Sequence, residues 1–330
     1  MTEEKLNHID SDTRPLAERF PFPFKSDSYR YSNNAESLVP PFVLNITPEY
    51  FHEISEKRRV LDNNKERAFQ SFPHSIDAQW EIFEMIVDEM TKRFPTYFSI
   101  KKMDDMWTFY NHLLKEEQSF VFGDSTTLPY EPLDFIGRHV QEDLVYLANK
   151  DGDLYMDAGQ LCFPANWSIA FNLGMAFTEF HSPVPHFSDS GLAEKVRNFL
   201  LRMEPGNPWT RLNWTLTVEH ILDTFPENYD EWGSKKENIT SENIGELVHL
   251  RVEDQRLFRL PKSNGILFSI HTSLMPIEEL QKNEEWLTRF YHVLTDLPDY
   301  ISQYKGFITY KDKIIQYLEN ILRTKVGAIK

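Results

Sequence analysis

Two short stretches of this 330-residue chain place chemically useful side chains two residues apart inside an alternating pattern. Arg211 and Asn213 alternate with Leu212 and Trp214, while Arg251 and Glu253 alternate with Leu250 and Val252. At the two-residue period of a strand, each pair projects to one side and into one space. A guanidinium placed there matches a carboxylate through its planar fork. The ordinary alternative for either pair is a solvated or salt-bridged sheet face. His181, one of 11 histidines, ends a helical run and is followed by the stiff Ser182-Pro183-Val184-Pro185. By position alone it reads as a cap favoured by the helix dipole. The single cysteine, Cys162, lies in an apolar extended run and reads as a buried, inert thiol.

Composition narrows what such residues serve. The 51 acidic against 35 basic residues give a formal charge of -16, which repels phosphate backbones and anionic lipid headgroups, so neither nucleic acid nor a membrane surface is expected as a partner. No apolar stretch approaches the ~20 residues of a spanning helix, and residues 1–12 are polar without the apolar core of a signal peptide. The expected location is cytoplasmic. One cysteine excludes an internal disulfide, a Cys-ligated iron–sulfur cluster on this chain and haem attachment through paired cysteines. Neither a Gly-x-Gly-x-x-Gly run nor a phosphate-cradling loop occurs among the 12 glycines.

The elements that position these residues are mixed. Residues 1–45, rich in proline and polar groups, read as a surface arm. Thr47-Pro48-Glu49 starts a helix over 48–57, and Ile76, Trp80, Phe83, Val87, Met90 and Phe94 mark a core-facing helix stopped by Pro95. Leu133, Ile136, Val140, Leu144 and Leu147 repeat the helical spacing, predicting a helix over 131–148. Residues 46–150 are thus expected to form a helical N-terminal elaboration. Residues 154–164 read as extended, 167–180 and 192–203 as helical. Strands follow over 211–218 and 248–253, with Asn264-Gly265 turning into another over 266–270. Helical spacing returns between 278 and 322, giving C-terminal helices over 281–330 packed on the core. The fold class expected is α+β.

Five blocks resemble the haem-dependent oxidative N-demethylase alpha-subunit-like family. They are Val140-Gln141-Glu142-Asp143-Leu144, Leu161-Cys162-Phe163-Pro164-Ala165-Asn166-Trp167, Phe180-His181-Ser182-Pro183-Val184-Pro185, Arg211-Leu212-Asn213-Trp214, and the run from Arg251 to Pro261. The resemblance implies a PAS-like antiparallel sheet, with 151–280 as a haem-binding core between helical elaborations. It further implies non-covalent haem b and oxidative removal of a methyl group from a small secondary amine such as dimethylamine. Under it, His181 becomes the first choice for the axial iron ligand, with His186 and His271 as alternatives. Arg211, Asn213 and Arg251 become cofactor-binding residues, the arginines pairing with a haem propionate, and Glu253 the carboxylate that receives a cationic amine. Two positions depart from the family pattern: Ile270-His271-Thr272-Ser273 stands for a segment resembling Ile-Arg-Thr-Tyr, and His186 for a frequent glycine.

Two classes of function follow. In the first, the chain is the haem subunit of a monooxygenase and receives electrons from NADPH through a separate reductase that carries flavin or an iron–sulfur centre, because no such centre is encoded here. In the second, it is a non-enzymatic PAS-like sensor or carrier that binds haem or another small molecule.

Overall fold

The computed structural model describes residues 16–31 and 34–328. Helix α1 (Tyr50–Asn63) begins two residues later than the expected start and runs beyond Lys57, because Tyr50, Ile54, Val60 and Leu61 extend its buried stripe. Helix α2 (Ile76–Arg93) follows the expected spacing, burying Trp80, Phe83, Val87 and Met90. After α2 the chain makes a three-stranded antiparallel meander of β3 (Phe98–Met103), β4 (Met106–Asn111) and β5 (Glu116–Val121). Its apolar face meets α2 through Phe120, whose ring lies 5.3 Å from Phe83 and 5.9 Å from Trp80.

The main sheet is seven-stranded and antiparallel, in the order β1 (Glu36–Ser37), β8 (Trp209–Val218), β9 (Val248–Arg259), β10 (Ile266–Pro276), β6 (Asp143–Lys150), β7 (Asp153–Gln160), β2 (Phe69–Ser71). Trp214, Leu216, Leu250 and Val252 pack with α7 (Glu284–Asp296) and α9 (Lys311–Ala328) through Phe290, Leu294, Ile314 and Leu318. A second core gathers Phe83, Val145, Leu147, Ile270, Leu274 and Phe163. The sheet is therefore covered on both faces, as long apolar strands require. The molecule is a mixed α/β fold built on a large antiparallel sheet. Among the described residues, no helix is long and apolar enough to cross a membrane.

Three expectations change. The helix over 131–148 is instead a short α3 (Pro132–Gly137) followed by strand β6, whose first six residues are all buried. A strand covered on both faces is apolar at every position, so a helical spacing can be picked out of it by chance. The helical elaboration over 46–150 in fact carries strands β2 to β6; the meander turns at Asp104 and Lys115 lack glycine and proline but adopt left-handed backbone, φ 52° and 57°. The run over 167–180 breaks into α4 (Ile169–Asn172) and α5 (Phe177–Phe180) around Gly174, φ 81°, ahead of α6 (Leu192–Leu201).

Residues 1–15 of the N-terminal arm lie outside the described residues. Further along, the arm inserts aromatic anchors: Phe22 stacks on Trp286 at 4.6 Å, and Phe24 meets Trp214 edge-on at 4.9 Å. Val43 and Leu44 are fully buried, so the arm has joined the core before α1.

The turn joining β9 to β10 sets the register of that hairpin, with Ile266 opposite Arg259. Asn264 takes left-handed backbone, φ 54°, and Gly265 lies so close to β6 that a Cβ there would meet the Tyr146 ring at 2.3 Å and the Leu147 carbonyl at 2.8 Å. Gly265→Ala should therefore lower stability by about 1–3 kcal/mol in denaturant unfolding. Asn264→Gly, which relieves a left-handed side chain, should leave the midpoint nearly unchanged.

Candidate functional site

The β8–β9 ladder sets Asn213 opposite Glu253 and Arg211 opposite Gln255. Directly opposed residues share a face, so the four side chains form one row. Arg211 Nη1 donates to Gln255 Oε1 at 2.9 Å, and Gln255 Nε2 donates to Glu253 Oε2 at 2.7 Å. Asn213 Nδ2 donates to the same oxygen at 3.1 Å. Glu253 is only 3% exposed, and its other oxygen, Oε1, has no hydrogen-bond partner. Leaving a buried acceptor unmet is costly, so this oxygen is open to a donor from outside the chain, as is Glu142 Oε2.

Helix α8 (Asp299–Tyr304) brings two more groups to this row. Lys305 follows it; Thr215 Oγ1 donates to the Lys305 carbonyl at 3.1 Å, and Lys305 Nζ donates to the Trp214 carbonyl. Burial pulls the Lys305 ammonium down to about 8, Glu253 opposing and Arg211 reinforcing the shift. Burial also raises the Tyr304 phenol, with Glu253 adding to it.

Arg251 shares the strand face of Glu253 but serves a different purpose. It is 1% exposed, and its guanidinium donates to the carbonyls of Ile221, Leu222, Phe163 and Pro164 at 3.3, 3.1, 2.6 and 3.0 Å. That fork ties the segment after β7 to the segment after β8. The expectation of propionate binding therefore passes to Arg211, which is half-buried at the other end of the row. The same segment after β7 is held from β6, where Asp143 accepts from the amides of Cys162 and Phe163 at 2.9 and 2.7 Å. Cys162 is fully buried, and burial with the nearby Asp143 pushes its thiol well above the usual value.

His181 caps α5. Its Nδ1 lies 2.8 Å from the Phe177 carbonyl, and a carbonyl only accepts, so Nδ1 carries the proton. Nε2 then presents a lone pair and has no partner among the described residues. The imidazole sits among Phe177, Phe180 and Phe187, with ring centres 4.3, 4.5 and 5.2 Å away. Burial lowers its pKa to about 4, the Phe177 carbonyl opposing and the neighbouring Arg211 reinforcing the shift. The ring is thus neutral at neutral pH. The proline segment behind it is pinned by Tyr31, whose hydroxyl donates to the Pro185 carbonyl at 2.6 Å.

The alternative ligands are placed differently. His186 is exposed in left-handed backbone, φ 59°, the conformation that glycine adopts freely, and its ring meets Tyr300 edge-on at 4.9 Å. His271 Nε2 is 3.4 Å from Glu53 Oε2, deep between β10 and α1. Burial works against its charged form, yet Glu53, Glu142 and Asp254 outweigh burial and raise its pKa to about 9. An imidazolium cannot donate a lone pair to iron. Among the described residues no group of three or more His, Cys, Asp or Glu side chains could hold a metal ion.

A cleft of about 390 Å³ lies elsewhere, between α1, α3 and the meander, and His181 is absent from its lining. Its Arg58 is held by Glu116 at 2.6 and 2.8 Å and its Arg138 by Asp134 at 2.9 Å, so both of its guanidiniums are already engaged. The unmet oxygen of Glu253 and the bare Nε2 of His181 are stronger signs of a ligand than this volume. Gln255, Tyr304 and Lys305 were not singled out in the sequence. The two-residue step from Glu253 would have found Gln255; nothing local marks Tyr304 or Lys305.

The sequence model of the family described as haem-dependent oxidative N-demethylase, alpha subunit-like matches residues 34–315, a span that holds every residue of this site. Within it, the carboxylates around His271 favour its charged form. Its folded pKa lies above the ordinary histidine value near 6.5, so its stabilising contribution is complete below about 6.5 and is lost as pH rises through about 9. Unfolding midpoints of the wild type should therefore fall between pH 7 and pH 10. The decline attributable to this group should be absent in His271→Arg, which stays charged throughout. Parallel pH profiles in the two proteins would refute the assignment.

Proposed function

We propose that this chain, which belongs to the haem-dependent oxidative N-demethylase alpha-subunit-like family, binds haem b non-covalently through His181 and removes a methyl group oxidatively from a small secondary amine. The observation that carries the reading is His181 itself: a neutral imidazole, its Nδ1 anchored on the Phe177 carbonyl, its Nε2 bare, beside a row that ends in an unmet carboxylate oxygen. Haem iron takes an imidazole nitrogen as its axial ligand, and such ligands commonly anchor their second nitrogen on a carbonyl. The surrounding phenylalanines suit an apolar macrocycle, and the central antiparallel sheet is read as PAS-like.

The bound haem supplies dioxygen activation and oxidation of an N-methyl carbon, which leaves as formaldehyde. The chain's own residues bind and orient. Arg211, with Asn213 beside it on the row, offers the cationic and polar end toward a propionate. Glu253 Oε1 receives an N–H of the cationic amine, fixing which methyl group faces inward. Phe177, Phe180 and Phe187 surround the His181 imidazole with apolar rings and keep water from it. Electrons come from NADPH through a partner reductase carrying flavin or an iron–sulfur centre, since the only cysteine is buried and cannot assemble a cluster. The description of the family as an alpha subunit supports such a partner.

Purified protein should be red, and acid–acetone should extract the chromophore. His181→Ala should abolish or shift the Soret band while leaving far-ultraviolet circular dichroism intact. An unchanged Soret band in that variant moves the ligand elsewhere. The isolated chain should be reduced by dithionite but not by NADPH, and should release formaldehyde from dimethylamine only when a reductase is added. Sustained NADPH-driven formaldehyde release by the pure chain would refute the need for a partner.

A further inference from the structure

Glu253 is surrounded by cations and yet keeps one oxygen bare. Arg211, Arg251 and Lys305 all feel its charge. None of them donates to Oε1. Arg251 is committed to its four carbonyls, and Lys305 donates to the Trp214 carbonyl. Arg211 lies diagonally across the β8–β9 pair from Glu253, a separation that two long side chains span easily. In a poorly solvated interior a guanidinium within reach of a carboxylate closes on it.

What stands between them is Gln255, and its orientation is forced. Arginine only donates, so the amide oxygen must face Arg211; a carboxylate only accepts, so the amide nitrogen must face Glu253. The contacts of 2.9 and 2.7 Å are those two bonds. A neutral amide thus bonds the cation and the anion separately.

We propose that Gln255 is a positioning residue: a neutral spacer that holds Arg211 off Glu253 and so keeps Glu253 Oε1 open for an ammonium ligand that carries an N–H. The ligand side of this inference rests on the reading above that Glu253 receives the amine. Because Oε2 already accepts from Asn213 and Gln255, the open oxygen selects secondary or tertiary ammonium over quaternary ammonium, which has no N–H to give.

The test uses the full chain at saturating haem. Gln255→Met keeps the side-chain length and removes both hydrogen-bonding groups; Gln255→Leu is the second variant should the first fold poorly. In the crystal structure of either variant, Arg211 should move into hydrogen-bonding contact with Glu253. Calorimetric titration with dimethylammonium should show affinity about 10- to 100-fold weaker than wild type, the loss expected when a charge-assisted hydrogen bond is blocked. Adding Arg211→Gln to the Gln255→Met protein should recover most of that loss, a rescue that a merely structural role for Gln255 does not give. In the wild type, tetramethylammonium should bind more weakly than dimethylammonium. Arg211 remaining apart from Glu253 in both variants, or unchanged amine affinity, overturns the spacer. A wild type that binds no amine, with Arg211 closing on Glu253 in the variants, upholds the spacer and overturns only the amine reading.

Discussion

A charge placed on a sheet that is buried on both faces must be met by a partner or it destabilises the fold, and this constraint governs the centre of the molecule. Strands β8 and β9 carry Arg211, Arg251 and Glu253 on one face of such a sheet. Arg251 meets the constraint with main-chain carbonyls, and Arg211 engages the Gln255 amide. Glu253 meets it halfway, with one oxygen doubly bonded and the other open, and the Nε of Arg251 is likewise left without a partner. The ties that hold the loops to the sheet and the open oxygen of Glu253 are thus two outcomes of one requirement.

The same requirement draws distant parts of the chain together. Asp143 holds the amides of Cys162 and Phe163, while Arg251 and Thr272 hold the Phe163 carbonyl from the other side. Asn213 and Arg211 reach Glu253 and Gln255, and Arg211 lies near His181. Four of the five blocks that carry the family resemblance are therefore tied together by hydrogen bonds, and the fifth, which holds His181, lies beside Arg211. Chain segments more than a hundred residues apart depend on the same few buried hydrogen bonds.

His181 and His271 show how environment divides one residue type into two roles. His181, among phenylalanine rings and beside a guanidinium, is held neutral with a free lone pair. His271, among carboxylates, is held as a cation and bonds α1 to the sheet. Burial opposes the charged form in both; the sign of the neighbours decides between them.

Much of the fold and part of the site were legible in local sequence. The apolar spacing of α2, the alternation of β8 and β9 and the turn at Asn264-Gly265 are short-range patterns, and the structure follows them. The pairing of Arg211 with Asn213 on one face is likewise a consequence of the strand period alone. Strand β6 was read as helix because a segment buried on both faces loses the polar positions that reveal its period. The meander was missed because its tight turns use Asp104 and Lys115 rather than glycine. That Arg251 is spent on main-chain carbonyls was decided only by tertiary structure, since it depends on loops that approach it from residues 163–164 and 221–222. So were the charge states of the histidines and the arrival of Lys305 beside Glu253. Residue type and spacing set which way a side chain points; the partners it meets there, and hence its proton and its charge, come from segments that only folding brings near.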